Sequence, residues 1–501
     1  MTLVPPSPAH ATGRNGTELT GLPATALARL IRDREVSAAE VTAAALDRVQ
    51  ALDDDLHAFV ELTAAEARTR AAEIDAALAR GDEVGVLAGV PVAVKDLIAT
   101  RGITTRSGSP AYATFVPDED DIVVERLRAA DAVILGKTTV PELGFSAVAQ
   151  NPVSPTARNP WDPTRTPGGS SAGSGVAVAT GMAPLALGSD GGGSVRIPAS
   201  LCGIYGLKAS MGRVPLYPGC RDERYPGMSS WETLEHIGPM TRTVDDAALL
   251  MSVIAGPDPR DRHSIPTADV DWLATTVNPD LTGLRVAYAP DFGYLPVDPE
   301  VRRVVDAAAR VFADRLGCAV EEVDPGFTDP QAHFWAMVLN DTDLDGMRAM
   351  VAEHGARMSP HLVELVVRPW TAEDFARAQT ARKRLVNQMW RFMSDYDLLL
   401  TPTLAVPAFP IGFQGPDLID GRLTSPGSWL GFLNPFNMTG QPAASIPAGF
   451  TEHGLPVGLQ IVGRHLADTS VLAASAAFEA AAPWASSWPA CVVATSETGE
   501  A

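Results

Sequence analysis

The sequence predicts an α/β protein, a single large domain in which a central β-sheet is covered by helices on both faces. Three observations carry this expectation. Short apolar runs recur without polar alternation, as over residues 90–98 and 457–462, and a strand apolar on both sides has both faces buried. Helical patterns lie between those runs. The chain has 501 residues, 46% of them apolar and 20% charged, which is enough to fill a large core and unlike a disordered composition.

Taken in order, residues 1–17 are rich in Pro, Ser, Ala and Gly and read as a flexible segment ahead of a domain spanning 18–490, with 491–501 as a flexible tail. Ser37 with Glu40 and Thr63 with Glu66 have capping-box spacing, and each pair precedes an alanine-rich stretch, so two helices are expected, the second closed by Gly81. Strands follow over 90–98, 132–135 and 185–187, with a helix over 121–130. Residues 243–255 read as helix, 284–288 as strand and 299–316 as a helix ended by Gly317. Long helical patterns cover 331–355 and 371–394. Residues 397–400, 443–446 and 457–462 return as strands, and 468–481 as a closing helix. Residues 270–400 are more helical and charged than their surroundings, which points to a peripheral lobe of the same domain.

Composition narrows the partners. Thirty-nine Lys and Arg stand against 60 Asp and Glu, a formal charge of −21, so phosphate backbones and anionic lipid would be repelled. Neither nucleic acid nor a membrane is expected as a partner. No apolar run of about 18 residues could span a bilayer, and the first twenty residues hold no apolar core of a secretory signal. The four cysteines, Cys202, Cys220, Cys318 and Cys491, lie far apart with no CxxC pair, so neither a disulfide framework nor a cysteine metal site is expected, and a reducing, cytoplasmic setting fits.

The chemistry concentrates between residues 166 and 210, in two Gly/Ser clusters separated by a short helix and a strand. The first, Gly168-Gly169-Ser170-Ser171-Ala172-Gly173-Ser174-Gly175, opens into Val176-Ala177-Val178-Ala179. The second is Ser189-Asp190-Gly191-Gly192-Gly193-Ser194. Three glycines before a serine let the backbone turn several amide N–H groups toward one point, where a carbonyl oxygen gains donors as it becomes an oxyanion. Ser194, on the rim of that concavity, is the natural nucleophile.

A serine hydroxyl needs a base. All nine histidines lie outside the two clusters. Lys95 is the other candidate, inside the apolar run Val90-Pro91-Val92-Ala93-Val94-Lys95-Asp96-Leu97-Ile98. Burying an ammonium is unfavourable unless it is paired or neutral, desolvation lowers its pKa, and a neutral lysine accepts a proton.

Together GVPVAVKD, GGSSAGSG and DGGGSVRIPAS-LCGIYGLK, with the spacing Lys95…Ser170…Ser194, resemble the amidase signature family of serine hydrolases. GKTTVPELG (136–144), RNPWDP (158–163), HIGPMTRTVDDAALLM (236–251), NPFNMTGQPAASIPAG (434–449) and LPVGLQIVG (455–463) extend the resemblance over about residues 20–485, and it is weakest from 270 to 400. It implies the fold of that family, with a mixed central sheet, and a Ser–Ser–Lys triad. Ser194 attacks the carbonyl, Ser170 sits between Ser194 and Lys95 with a cis peptide bond into it, and Lys95 takes the proton through Ser170. The oxyanion hole falls to Gly191, Gly192, Gly193 and Ser194. Ser171, Asp190 and Arg196 support the loops. The reaction implied is hydrolysis of a non-peptide carbon–nitrogen bond, in an amide, anilide or carbamate, through an acyl-enzyme resolved by water, with no metal and no organic cofactor. Family habit gives a homodimer as the expected assembly.

Other readings stay open. The same triad serves an esterase or a carbamate hydrolase. The family also includes the glutaminase-type subunit of a tRNA-dependent amidotransferase, although the segment PLYPGCRDERYPGMSSWETLEH differs from the shorter serine-rich connection found there. Gly169-Ser170-Ser171-Ala172-Gly173 also matches the GxSxG nucleophile elbow of α/β-hydrolases, with Ser171 central and His453 or His465 as the base. The substrate pocket is expected to be lined by Met228 and Trp231 from the loop 215–231, and by Trp429, Phe432 and Phe436 from WLGFLNPF.

Overall fold

In the computed structural model, residues 16–217, 231–266 and 270–497 are described. In chain order the strands are β1 (Phe59–Leu62), β2 (Pro91–Lys95), β3 (Val133–Thr138), β4 (Leu185–Ser189), β5 (Tyr205–Lys208), β6 (Ile237–Thr241), β7 (Arg285–Tyr288), β8 (Ala319–Glu322), β9 (Leu398–Pro402), β10 (Leu418–Ile419), β11 (Arg422–Leu423), β12 (Ala443–Phe450) and β13 (Pro456–Gly463). Eleven of them form one sheet in the order β1-β3-β2-β4-β6-β5-β12-β13-β9-β7-β8, and β10 and β11 pair apart as a small hairpin. The sheet is mixed. β2 runs parallel to β3 and β4, and β7 to β8 and β9, while β4–β6, β6–β5, β5–β12, β12–β13 and β13–β9 are antiparallel.

The absence of alternation has a direct cause in the central strands. Val92 and Val94 of β2, with Leu185 and Leu187 of β4, join a core beneath the helices Val244–Ile254, Pro299–Asp314 and Asp468–Ala481. Ala93 and Ala186, the residues between them, enter a second core beneath Ala38–Leu56 and Ala172–Ala179 on the opposite face. Successive side chains point to opposite faces, and both faces here are dry. A third, aromatic-rich core collects Phe145, Phe292, Phe334 and Phe436 beside Leu399 of β9. It includes residues of the helices Gln331–Asn340 and Ala372–Met393, so the 270–400 segment supplies β7, β8 and β9 to the common sheet as well as helices beside the site.

Local signals are resolved unevenly. Ser37 forms the full reciprocal capping box with Glu40, but the Thr63 side chain does not cap its helix. Its hydroxyl donates instead to the Ile134 carbonyl, toward β3. Gly81 closes the second helix at φ 79°, a left-handed conformation that favours glycine. The pattern over 331–355 breaks into Gln331–Asn340 and Leu344–His354, because the Asp343 carboxylate accepts from the Gly346 amide and starts a new helix. The helix Ala490–Glu497 continues past residue 490, into the segment the sequence reads as a tail. Among the described residues no helix is long and apolar enough to cross a membrane.

Candidate active site

β3, β2 and β4 are parallel neighbours, so Thr138, Lys95 and Ser189, their last residues, lie at one edge of the sheet. In open α/β sheets the carboxyl ends of such strands are where ligands bind. Lys95 is fully buried there. Its Nζ lies 2.8 Å from Ser170 Oγ, 2.9 Å from the Ser189 carbonyl oxygen and 2.9 Å from Ser189 Oγ. Burial, partly opposed by the charges of Glu235 and Asp190, lowers its pKa to about 7. The three contacts suit both protonation states. A neutral amine donates twice to Ser189 and accepts from the Ser170 hydroxyl, and the ammonium donates to all three oxygens.

Ser170 stands just before the helix Ala172–Ala179, and the Gly169–Ser170 peptide bond is cis. The Ser171 amide donates to the Ser194 carbonyl at 3.2 Å, which joins the two serine loops main chain to main chain. Ser170, in contact with Lys95, and Ser194 therefore lie on adjoining loops, with no hydrogen bond between the two serine hydroxyls among the described residues.

The loop after β4 is shaped by a buried ion pair. Arg196 Nε and Nη2 donate to the two carboxylate oxygens of Asp190, each at 2.9 Å. Arg196 also donates to Asn437 Oδ1 and Gln460 Oε1, and Asn437 Nδ2 returns bonds to the Asp190 carbonyl and carboxylate. Burial alone would raise the Asp190 pKa, but Arg196 holds it well below the usual carboxylate range. Buried charges persist when paired and fully hydrogen-bonded in this way. Asp190 also takes the Gly193 amide, at 2.7 Å, so Gly193, expected as an oxyanion donor, instead shapes the loop. The amides of Gly191, Gly192 and Ser194 have no hydrogen-bond partner among the described residues.

Ser194, Gly192 and Gly144 open onto a cavity of about 340 Å³. Its wall is aromatic around the serine. Phe145 and Trp231 meet edge to face at 5.0 Å, and Phe334 and Trp335 do so at 5.5 Å. A Cβ on Gly191 would lie 2.2 Å from the Trp231 ring and one on Gly192 2.6 Å from Phe334, so glycines are what allow these rings to close over the loop. Among the described residues the wall carries no Asp, Glu, Lys or Arg.

Of the pocket residues expected from sequence, Trp231 lines this cavity and Met228 lies outside the described residues. Trp429, Phe432 and Phe436 are fully buried in the core and do not line it. Trp429 packs on Phe409 and donates from its indole to the Gln414 carbonyl, while Phe432 packs on Phe292. The wall comes largely from helices and loops that no motif marked, including Phe334, Trp335 and His361.

Two neighbours of Lys95 escaped the sequence reading. Ser189 supplies two of its three contacts, and the half-buried Glu235 hydrogen-bonds to the Ser189 side chain. The signal for Ser189 was present, as the last residue of a buried strand just before the glycine loop. Ser171, the centre of the GxSxG match, is fully buried, and its hydroxyl pairs with the Ser189 main chain at 3.2 and 3.3 Å. His453 and His465 are exposed, so the nucleophile elbow does not form here.

The model of the family described as Amidase matches residues 40–472. The chain is 36% identical over 480 residues to an acylamidase of Rhodococcus erythropolis, covering 94% of this chain and 97% of that one. It is 37% identical over 484 residues to a subunit of the Glutamyl-tRNA(Gln) amidotransferase of Acidothermus cellulolyticus, covering 91% and 93%. Among solved structures, that of a bacterial aryl acylamidase of the amidase signature family superposes with a TM-score of 0.86 at 32% identity, covering 93% and 97%. Motifs, sheet and relatives agree: the chain belongs to the amidase signature family and is a hydrolase of carbon–nitrogen bonds other than peptide bonds.

Proposed function

We propose that the protein hydrolyses small, uncharged amides that carry an aromatic or bulky apolar group, N-acyl arylamines foremost, through an acyl-enzyme on Ser194. The observation that carries this reading is the buried Lys95 amine 2.8 Å from Ser170 Oγ, beside a serine that opens onto an aromatic cavity.

In the first half-reaction neutral Lys95 accepts the Ser170 proton while Ser170 accepts that of Ser194, whose Oγ forms a bond to the amide carbonyl carbon. The carbonyl electrons move to oxygen, which the free amides of Gly191, Gly192 and Ser194 stabilise. The proton held on Lys95 then returns through Ser170 to the nitrogen as the carbon–nitrogen bond breaks, and the amine leaves. Water enters, gives its proton to the same relay, attacks the ester carbon and releases the acid with Ser194 restored. Because Lys95 has partners for either protonation state, the transfer between Ser170 and Lys95 needs no rearrangement of its contacts.

The described part of the wall, which carries no charged side chain, supports a neutral substrate over free glutamine, whose ammonium and carboxylate would need partners there. The test is a panel of acetanilide, p-nitroacetanilide, phenyl acetate, an aryl carbamate and L-glutamine, assayed with the purified chain and with Ser194→Ala. Turnover of the anilides, lost in Ser194→Ala, is expected. Turnover of glutamine alone would overturn the reading, and turnover of the ester or carbamate alone would reassign the bond.

A further inference from the structure

The cavity wall contains polar atoms that the chemistry above leaves idle, and one of them is an acceptor. His361, the second residue of the helix Pro360–Val367, lines the cavity, and its Nε2 is buried without a hydrogen-bond partner among the described residues. The ring hydrogen-bonds to the backbone of Phe145. The Phe145 amide is already committed to the Glu142 carbonyl, so the acceptor is the Phe145 carbonyl, and with Nε2 unpartnered the nitrogen left to donate to it is Nδ1. A ring that donates from Nδ1 presents a lone pair at Nε2 when neutral. Burial lowers the imidazole pKa, against the charge of Glu142, which favours that neutral form. Glu142 is itself held by Ser109 Oγ at 2.8 Å and by the Ser359 amide at 2.6 Å, so the helix that presents His361 is fastened to the loop before Phe145.

An unpaired buried acceptor is unfavourable by the desolvation of its lone pair, and it is satisfied when a ligand brings a donor. We propose that His361 is a specificity-determining residue whose Nε2 accepts a hydrogen bond from a hydroxyl or amino group on the substrate's aromatic ring. Trp231, in the same cavity wall, has an indole N–H that also lacks a partner among the described residues, so the wall offers an acceptor and a donor to a polar ring substituent. The inference rests on the reading of the cavity as an arylamide site.

The test compares the 2-, 3- and 4-hydroxyacetanilides with their methoxy counterparts, which keep an acceptor but lose the donor. Turnover is measured in the otherwise unaltered enzyme, and binding by calorimetry in the Ser194→Ala protein. At least one hydroxy isomer is expected to exceed its methoxy partner by about tenfold, in KM and in affinity, the size of one net hydrogen bond at a buried site. In His361→Phe that ratio collapses toward one, and His361→Gln, which retains an acceptor, restores part of it. Absence of the preference, or its survival in His361→Phe, overturns the inference even if anilides are hydrolysed. A hydroxyl preference in binding without turnover of any anilide keeps the inference and removes the proposed reaction, and no binding of any anilide removes both.

Discussion

Lys95 and Lys137 lie on adjacent parallel strands, one register step apart, and both are fully buried. Burial lowers both pKa values, to about 7 and about 8. By desolvation alone they are nearly the same group. Their partners differ. Lys137 is surrounded by the Ile98 carbonyl and the hydroxyls of Thr100 and Thr105, with the charge of Asp96 close by, and none of these residues lines the cavity. Lys95 faces Ser170, whose loop is bonded to that of Ser194. A perturbed pKa marks a buried amine, and a neighbouring loop that reaches the cavity, as that of Ser194 does, is what sets Lys95 apart.

The sharpest way to break this contrast is to remove each amine. Lys95→Ala is expected to lower kcat by about 10²–10⁴-fold, the usual worth of a general base, with the fold intact by circular dichroism. Lys137→Met should show the opposite profile. It leaves buried Asp96 with Arg106 as its remaining cation, lowering stability by about 3 kcal/mol in urea unfolding, with kcat per folded molecule little changed. Equal activity losses in the two variants would erase the distinction.

A subtler test uses pH. The proposed relay needs Lys95 uncharged, so kcat/KM should rise with pH through about 7 and then level off. Glu235 raises the Lys95 pKa, because its negative charge favours the ammonium. Glu235→Gln removes that charge and is expected to move the rising limb to lower pH, read from the full pH–rate profile. A shift upward would mean that Glu235 acts otherwise. The smallest effect is expected from Ser171→Ala, which loses the two bonds to the Ser189 main chain behind Lys95. A few-fold fall in kcat is expected, far less than for Lys95→Ala, and complete loss of acylation would restore the nucleophile elbow.

The burial of Lys95 was legible because a lysine within an apolar strand is conspicuous, whereas its contact with Ser170 was expected only from the family resemblance. The layered fold was legible for a similar reason, since β2 and β4 bury both faces and show it as unbroken apolar runs. Edge strands β1 and β8 were not, being four residues each and half exposed. Nor was the commitment of the Gly193 amide, since nothing in a glycine run tells which N–H a neighbouring carboxylate will take. Trp429, Phe432 and Phe436 show the same limit. An aromatic residue suits a core and a pocket wall equally, and only the packing of Phe409 and Phe292 against them decides it. Thr63 had the spacing of a cap, and a carbonyl on a neighbouring strand took its hydroxyl.

The Asp190–Arg196 pair has a consequence for synthesis of the protein. Arg196 is completed by Asn437 and Gln460, more than 200 positions later, and β5 is flanked by β12 from the same distant region. While the chain is still emerging from the ribosome, the loop that carries Ser194 lacks the contacts that set its shape. The shape of this loop is therefore set only when translation has nearly finished, and a nascent chain stopped before Gln460 would display Ser194 without the frame around it.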